Sequence, residues 1–159
     1  MDARTHKSIR RILLSNDDGI DAIGLKILYD IAIQFSDDVW VIAPSENRSG
    51  ASRSITLRRD VVVKKIGPKR YSCSGTPADC IIFGMSQILE QPPDLVLTGI
   101  NHGMNVADDI LYSGTVGAAV GGRNLKYPPI AISVASYDAK DMSFITKNSV
   151  ELINKIIKY

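Results

Sequence analysis

The stretch that decides the fold spans residues 9–44 and reads IRRILLSNDDGIDAIGLKILYDIAIQFSDDVWVIAP. Ile9–Ser15 ends in an apolar run that stops at the turn formers Asn-Asp-Asp-Gly, which predicts a buried strand. Gly24–Phe35 carries apolar side chains at i, i+3, i+4 and i+7, which predicts an amphipathic helix. Asp38–Ala43 predicts a second strand, stopped by Pro44. Together they indicate a βαβ unit with parallel strands and a right-handed crossover.

The alternation of strands and helices continues to the last residue. Thr76 can cap a helix, Pro77 suits its first position, and Asp79 favours the positive end of its dipole. The further predictions are short β-rich segments at Ile55–Leu57, Val61–Lys65 and Arg70–Cys73, strands at Asp94–Thr98 and Pro129–Val134, and helices at Thr76–Glu90, from about Ser113–Thr115 to Leu125, and at Ser149–Tyr159. We interpret the three short segments as an antiparallel excursion rather than core parallel strands. The fold class is therefore α/β: three Rossmann-like layers around a mostly parallel sheet, in a single domain over residues 1–159 with Met1–Ser8 as a loose tail.

The composition excludes several classes of protein. The chain has 159 residues, of which 45% are hydrophobic and 23% charged, which is typical of a globular domain and not of a disordered or fibrous chain. Its 19 basic and 17 acidic residues are too balanced to predict a nucleic-acid partner. No apolar run reaches the roughly 18 residues of a membrane span, so no membrane partner is expected. Cys73 and Cys80 make no disulfide framework, which favours the cytoplasm, and Cys80 is expected in the core.

Polar side chains follow the predicted strands in three loops, Asn16–Gly19, Pro44–Gly50 and Gly99–Tyr112. Ligands of α/β folds bind at the carboxyl ends of the strands, so we expect the chemistry there. The adjacent carboxylates of Asp17 and Asp18 repel each other, and a divalent cation removes that penalty. The amide and hydroxyl groups of the second and third loops are oxygen ligands suited to Mg²⁺ or Mn²⁺. Each loop taken alone is equally typical of an ordinary turn, and a loop histidine such as His102 is more often solvated than catalytic.

A small, hydroxyl-bearing segment, Tyr112–Gly117, opens the next predicted helix. Its unpaired N–H groups can cradle a phosphate, although its glycines also suit close helix–sheet packing. The segment is not a Walker A loop because no lysine follows the glycines, and it is not a G-x-G-x-x-G motif. Ser49 lacks the G-x-S-x-G surroundings of a serine hydrolase. The loops in combination favour a cation-dependent phosphate ester hydrolase.

Five motifs appear in the chain in a fixed order. They are Ile12–Gly19 (ILLSNDDG), Asn47–Ser52 (NRSGAS), Ser74–Cys80 (SGTPADC), Gly99–Asn101 (GIN) and Asp108–Val116 (DDILYSGTV). Together they closely resemble the SurE family, the stationary-phase survival nucleotidases. The resemblance runs from about Arg11 to about Val134.

The resemblance implies a metal-dependent phosphatase, a 5′-nucleotidase that removes phosphate from nucleoside 5′- and 3′-monophosphates and sometimes acts on short polyphosphate. It also implies a homodimer or homotetramer. One Mg²⁺ or Mn²⁺ per subunit is implied, together with a set of ligands and a phosphate-contacting stretch. The implied cation ligands are Asp17, Asp18, Ser49 and Asn101, the implied phosphate contacts are Asn105, Ser113, Gly114 and Thr115, and Asp17 or Asp18 is the candidate for orienting or deprotonating the attacking water.

The sequence also departs from the family pattern. Ile23 stands where the family usually has proline, and Ser45-Glu46 stands where Asp-Arg is frequent, which changes the charge beside the implied site. Family members continue well past the length of this chain, so it is expected to be C-terminally truncated relative to them. The alternative to catalysis is therefore a nucleotide- or phosphate-binding module, or an inactive remnant of the enzyme.

Overall fold

Six strands and five helices make up the part of the chain that the computed structural model describes, residues 9–136 and 142–158. The strands are β1 (Arg11–Ser15), β2 (Asp38–Pro44), β3 (Val63–Gly67), β4 (Arg70–Cys73), β5 (Leu95–His102) and β6 (Ile130–Val134). The helices are α1 (Ile23–Ala32), α2 (Pro77–Phe83), α3 (Asp109–Tyr112), α4 (Gly114–Val120) and α5 (Met142–Ile156), and a π-helical turn, Gly84–Ile88, continues α2. The tail predicted for Met1–Ser8 lies outside the described residues.

The strands form one sheet in the order β3-β4-β2-β1-β5-β6. All neighbouring strands are parallel except β3 and β4, which confirms the predicted fold class. The interpretation of the short segments is wrong in one respect, because β4 pairs in parallel with β2 as well as antiparallel with β3. Arg70–Cys73 therefore belongs to the main sheet, and only β3 is an antiparallel addition to it. Ile55–Leu57 is not a strand.

An apolar layer covers each face of the sheet, so the central strand β1 is buried on both faces. Ile12 and Leu14 point into the layer formed with α1 and α5, whereas Leu13 points into the layer formed with α2 and α4. All three side chains are fully buried. Cys80 lies in the second layer, which confirms its prediction as a core residue.

Several element bounds differ from their predictions. β5 continues to His102, so the start of the expected Gly99–Tyr112 loop is strand, and α3 forms near the end of that loop. α4 ends at Val120 rather than near Leu125, and α5 begins at Met142, ahead of the predicted Ser149. The cap of α2 is confirmed: Thr76 Oγ1 accepts from Asp79 N at 3.1 Å, and Asp79 Oδ2 accepts from Thr76 N at 2.9 Å.

The strand order reverses at β1, because the chain proceeds from β1 to β2 on one side and later returns to β5 on the other. A crevice at the carboxyl ends of β1 and β5 follows from such a reversal. Gly24 brings α1 close to β5: a Cβ at this position would lie 2.0 Å from the carbonyl oxygen of Ile100. Among the described residues, no helix is both long and apolar enough to cross a membrane.

Candidate active site

Asp17 follows β1 directly and is the point at which three loops meet. Its side chain is only 4% exposed. Its Oδ1 accepts a hydrogen bond from Thr115 Oγ1 at 2.5 Å, and its carbonyl oxygen accepts one from the backbone N–H of Arg48 at 2.7 Å. A Cβ on Gly114 would lie 2.8 Å from Asp17 Cβ, so the glycine lets this carboxylate approach the start of α4. Asp17 thereby joins the end of β1 to the loop after β2 and to α4.

The turn after β1 orients the two aspartates. Asn16 Nδ2 donates to the carbonyl oxygen of Gly19 at 2.9 Å, and Gly19 N–H donates back to Asn16 Oδ1 at 3.3 Å. Gly19 has φ +109°, a conformation that side chains rarely adopt. The turn interpretation of Asn16–Gly19 is therefore right, and the turn also presents both carboxylates at the end of the strand.

The carboxylate of Asp18 is only partly hydrogen-bonded by the described residues. Its Oδ1 lies 3.4 Å from the donating Nδ2 of Asn47, whereas its Oδ2 is buried and has no hydrogen-bond partner among the described residues. Burial raises the pKa of Asp18, the neighbouring Asp17 raises that pKa further, and the charge and the backbone N–H of His102 lower it in part. Buried carboxylate oxygens in proteins normally have a partner, and a bound cation would stabilise the charged form of the Asp18 carboxylate.

Ser49 and Asn101 come from the loop after β2 and from the end of β5. The backbone N–H of Ser49 donates to Asn47 Oδ1 at 2.8 Å, which fixes the loop. Asn101 Nδ2 donates to the carbonyl oxygen of Gly103 at 2.9 Å, so Oδ1 is the atom of this amide available to a ligand. Asp17, Ser49 and Asn101 line the same open cavity of about 420 Å³, which we call the acidic cavity.

The lining of the acidic cavity contains no lysine or arginine. Besides the three residues above, it is formed by Gly50, His102, Gly103, Met104, Asn105, Asp109, Tyr112 and Ser113. Ser113 Oγ caps α4 by accepting from Val116 N–H at 3.1 Å, which leaves the hydroxyl proton free for donation into the cavity. With Asp17 and Asp109 as its carboxylates, the lining has a negative balance of charge, which repels an anionic ligand in the absence of a cation.

The structure separates the predicted site residues into two groups. Asp17, Ser49, Asn101, Asn105 and Ser113 line the acidic cavity, whereas Asp18, Gly114 and Thr115 lie outside its lining. Thr115 is fully buried, and its hydroxyl donates to Asp17, so this hydroxyl positions the Asp17 carboxylate. The phosphate contact predicted for Thr115 then remains a prediction for its backbone N–H alone.

Sequence reasoning gave no site role to Asp109 or Tyr112, which also line the acidic cavity. The sequence contained a signal for both, because they belong to the Asp108–Val116 motif, with Tyr112 directly before Ser113 and Asp109 four residues before it. His102, expected to be solvated, is half-buried, and its Nε2 is buried without a hydrogen-bond partner among the described residues.

The donor set suits a hard cation. Within residues 9–136 and 142–158 no three histidine, cysteine, aspartate or glutamate side chains come together in a group that could hold a metal ion. Two carboxylates with a hydroxyl and an amide oxygen are instead the ligand types that Mg²⁺ and Mn²⁺ take in proteins. The residues present therefore fit the cation that the family resemblance implied.

The chain is similar to known proteins over most of its length. A family profile described as "Survival protein SurE" matches residues 12–159. A protein named 5′-nucleotidase SurE from Chelativorans sp. (strain BNC1) is 43% identical over 143 residues, which cover 90% of this chain and 57% of the relative. A protein of the same name from Rhodopseudomonas palustris (strain BisB18) is 51% identical over 124 residues, covering 77% of this chain and 49% of the relative.

A solved structure is similar as well. The crystal structure of the SurE protein from Aquifex aeolicus superimposes with a TM-score of 0.85 at 39% identity, covering 93% of this chain and 60% of that one. This chain thus spans about half to three fifths of the length of the proteins that it matches.

Proposed function

Because the chain belongs to the SurE family, we propose that it is a cation-dependent phosphomonoesterase that hydrolyses nucleoside 5′- and 3′-monophosphates. The relatives' name, 5′-nucleotidase, supports the substrate class. The observation that carries the proposal is the acidic cavity itself, which Asp17 and Asp109 line without any lysine or arginine, together with the buried, unpaired oxygen of Asp18, the residue next to Asp17. Such a site repels a phosphate ester until a cation is bound.

We assign the cation to Asp17, Asp18, Ser49 and Asn101. Thr115 holds one oxygen of Asp17, and the other oxygen remains for a ligand. Magnesium or manganese bound there would neutralise charge on the phosphoryl group and lower the pKa of a coordinated water. The turn and the buried hydrogen bonds hold the carboxylates in place before the substrate arrives, which lowers the cost of reorganisation.

The remaining side chains of the acidic cavity would bind the phosphate and move a proton. Asn105 and Ser113 line the cavity with donors, and the backbone N–H groups at Gly114 and Thr115 open α4 beside them. Asp17 or Asp18 would accept the proton of the attacking water, since these are the carboxylates that the turn presents at the strand end. These roles place phosphate on the α4 side of the cavity and the cation on the β1 side.

We propose further that the assembled protein is a homodimer or homotetramer in the cytoplasm. Large apolar side chains exposed on the chain support a partner surface, among them Leu57 at 70% and Phe144 at 73% exposure.

The test is release of phosphate from AMP and from p-nitrophenyl phosphate, in EDTA and in Mn²⁺. We expect turnover in Mn²⁺ only, and we expect Asp17→Asn to abolish it while Asp60→Asn, an exposed acid outside the cavity, keeps it. Equal turnover in EDTA, or full activity of Asp17→Asn, would refute the proposal. Binding of AMP and Mn²⁺ without turnover would indicate a nucleotide-binding module instead.

A further inference from the structure

A second cavity, of about 570 Å³, adjoins the acidic cavity and shares Met104 and Asn105 with it. We call it the apolar pocket; its lining is Met104, Asn105, Val106, Ile110, Val116, Ala131, Ser133 and Ala135. None of these residues is charged, in contrast to the acidic cavity. Its volume lies within the roughly 300–1,000 Å³ typical of pockets for small organic ligands.

The apolar pocket has two polar groups, and they are paired with each other. Asn105 Nδ2 donates to Ser133 Oγ at 2.6 Å. The Ser133 hydroxyl is therefore an acceptor in this bond and keeps its own proton for an acceptor atom of a ligand. Apolar walls with a few fixed polar groups are the usual composition of a site for a planar heterocycle.

Resting on the proposed function, we propose that the apolar pocket receives the nucleobase of the substrate while the phosphate occupies the acidic cavity. A nucleoside monophosphate has one anionic end and one flat, weakly polar end, and the two cavities match these ends on either side of Asn105. The Met104 thioether and the Ile110 side chain offer contact to the base, since sulfur packs favourably against aromatic rings. Ser133 would donate to an acceptor atom on the base.

The decisive comparison is AMP against ribose 5-phosphate, because ribose 5-phosphate carries the same phosphate on the same sugar but has a hydroxyl group in place of the base. Ile110→Ser removes a wall of the apolar pocket, and Ala131→Phe fills it. We expect each variant to lower kcat/KM for AMP by about fivefold to tenfold, mainly through KM, and to leave ribose 5-phosphate unchanged. Leu111→Ser is the matched control, since Leu111 is 67% exposed and lies outside both cavities.

Binding of the product adenosine, followed by calorimetry, separates this proposal from the proposed activity. Weaker adenosine binding in Ile110→Ser and Ala131→Phe supports the base subsite even if the chain turns over neither substrate. An unchanged ratio of AMP to ribose 5-phosphate activity in both variants overturns it, as does adenosine binding that is the same in wild type and variants. An equal loss for both substrates also overturns it, because the base would then play no part.

Discussion

Removing the carboxylate of Asp79 should destabilise the chain by about 3 kcal/mol. Asp79 is 4% exposed and accepts hydrogen bonds from Thr56 N at 3.1 Å, Thr56 Oγ1 at 2.6 Å and Thr76 N at 2.9 Å. Thr56 and Thr76 are half-buried, so their donors regain some water in Asp79→Ala, and each lost bond costs about 1 kcal/mol, the value of an ordinary hydrogen bond and less than the roughly 1.5–3 kcal/mol of a bond to a charged group. The loop that contains Thr56 would then lose its hydrogen bonds to Asp79, while Thr76 Oγ1 still donates to the carbonyl oxygen of Ser54 in that loop.

Urea unfolding measures this loss. With a slope of about 2 kcal/mol per molar urea, the midpoint of Asp79→Ala should fall by about 1.5 M. Asp60→Ala, which removes an exposed acid from the same part of the chain, should change stability by less than about 0.5 kcal/mol.

The contribution of Asp79 to the free energy of unfolding should change with pH in one direction. Burial raises the pKa of Asp79, but the hydrogen bonds from Thr56 and Thr76 outweigh it and hold this pKa below its ordinary value of 3.8. A lowered pKa in the folded state stabilises the protein above pH 3.8, and this contribution is lost as the pH falls through the folded value. The stability difference between wild type and Asp79→Asn should therefore shrink below about pH 4. A difference that stays constant from neutral to strongly acidic pH, or a cost of Asp79→Ala under about 1 kcal/mol, would refute the reasoning.

Three further outcomes are expected. Thr115→Val keeps the shape of the side chain but removes the donor to Asp17, so the Kd for Mn²⁺ in a paramagnetic resonance titration should rise about tenfold; an unchanged Kd would contradict this. Gly117→Ala places a Cβ 2.0 Å from the carbonyl oxygen of Ser52, so calorimetry should show a loss of stability of about 2 kcal/mol or more, and a wild-type Tm would count against this packing. Free Mn²⁺ at a thousandfold excess over its Kd should raise the unfolding free energy by about 4 kcal/mol in wild type, and an equal gain in Asp17→Asn would place the cation elsewhere.

The layered fold could be predicted because its signals are local. Strand and helix periodicities in residues 9–44 and the capping residues around Pro77 each depend on neighbours along the chain. The wrong predictions concern β5 and β4, whose extent and strand partners depend on segments distant in the sequence. β5 passes through glycine and asparagine, which indicate a loop, yet it stays extended because Asn101 pairs with Ser133 and His102 with Val134 on β6. The parallel pairing of β4 with β2 depends equally on contacts that local patterns do not encode.

The sequence predicted which loops would form the candidate site, but it did not predict which side chains would contact each other there. Strand ends gather at one edge of a parallel sheet, which is why Asp17, Ser49 and Asn101 could be expected together, and the structure places them on one cavity. Spacing does not tell which way a side chain turns. Thr115 was predicted at the phosphate, but its hydroxyl is directed at Asp17, because that carboxylate is buried and needs a donor.

The most direct measurement is an anomalous difference map from crystals grown in saturating Mn²⁺, recorded near the manganese absorption edge. We expect one strong peak, with oxygens of Asp17, Asp18, Ser49 and Asn101 roughly 2 Å away. A map without a peak at the end of β1, or with the ion elsewhere and both aspartates turned away from Ser49 and Asn101, would contradict the account.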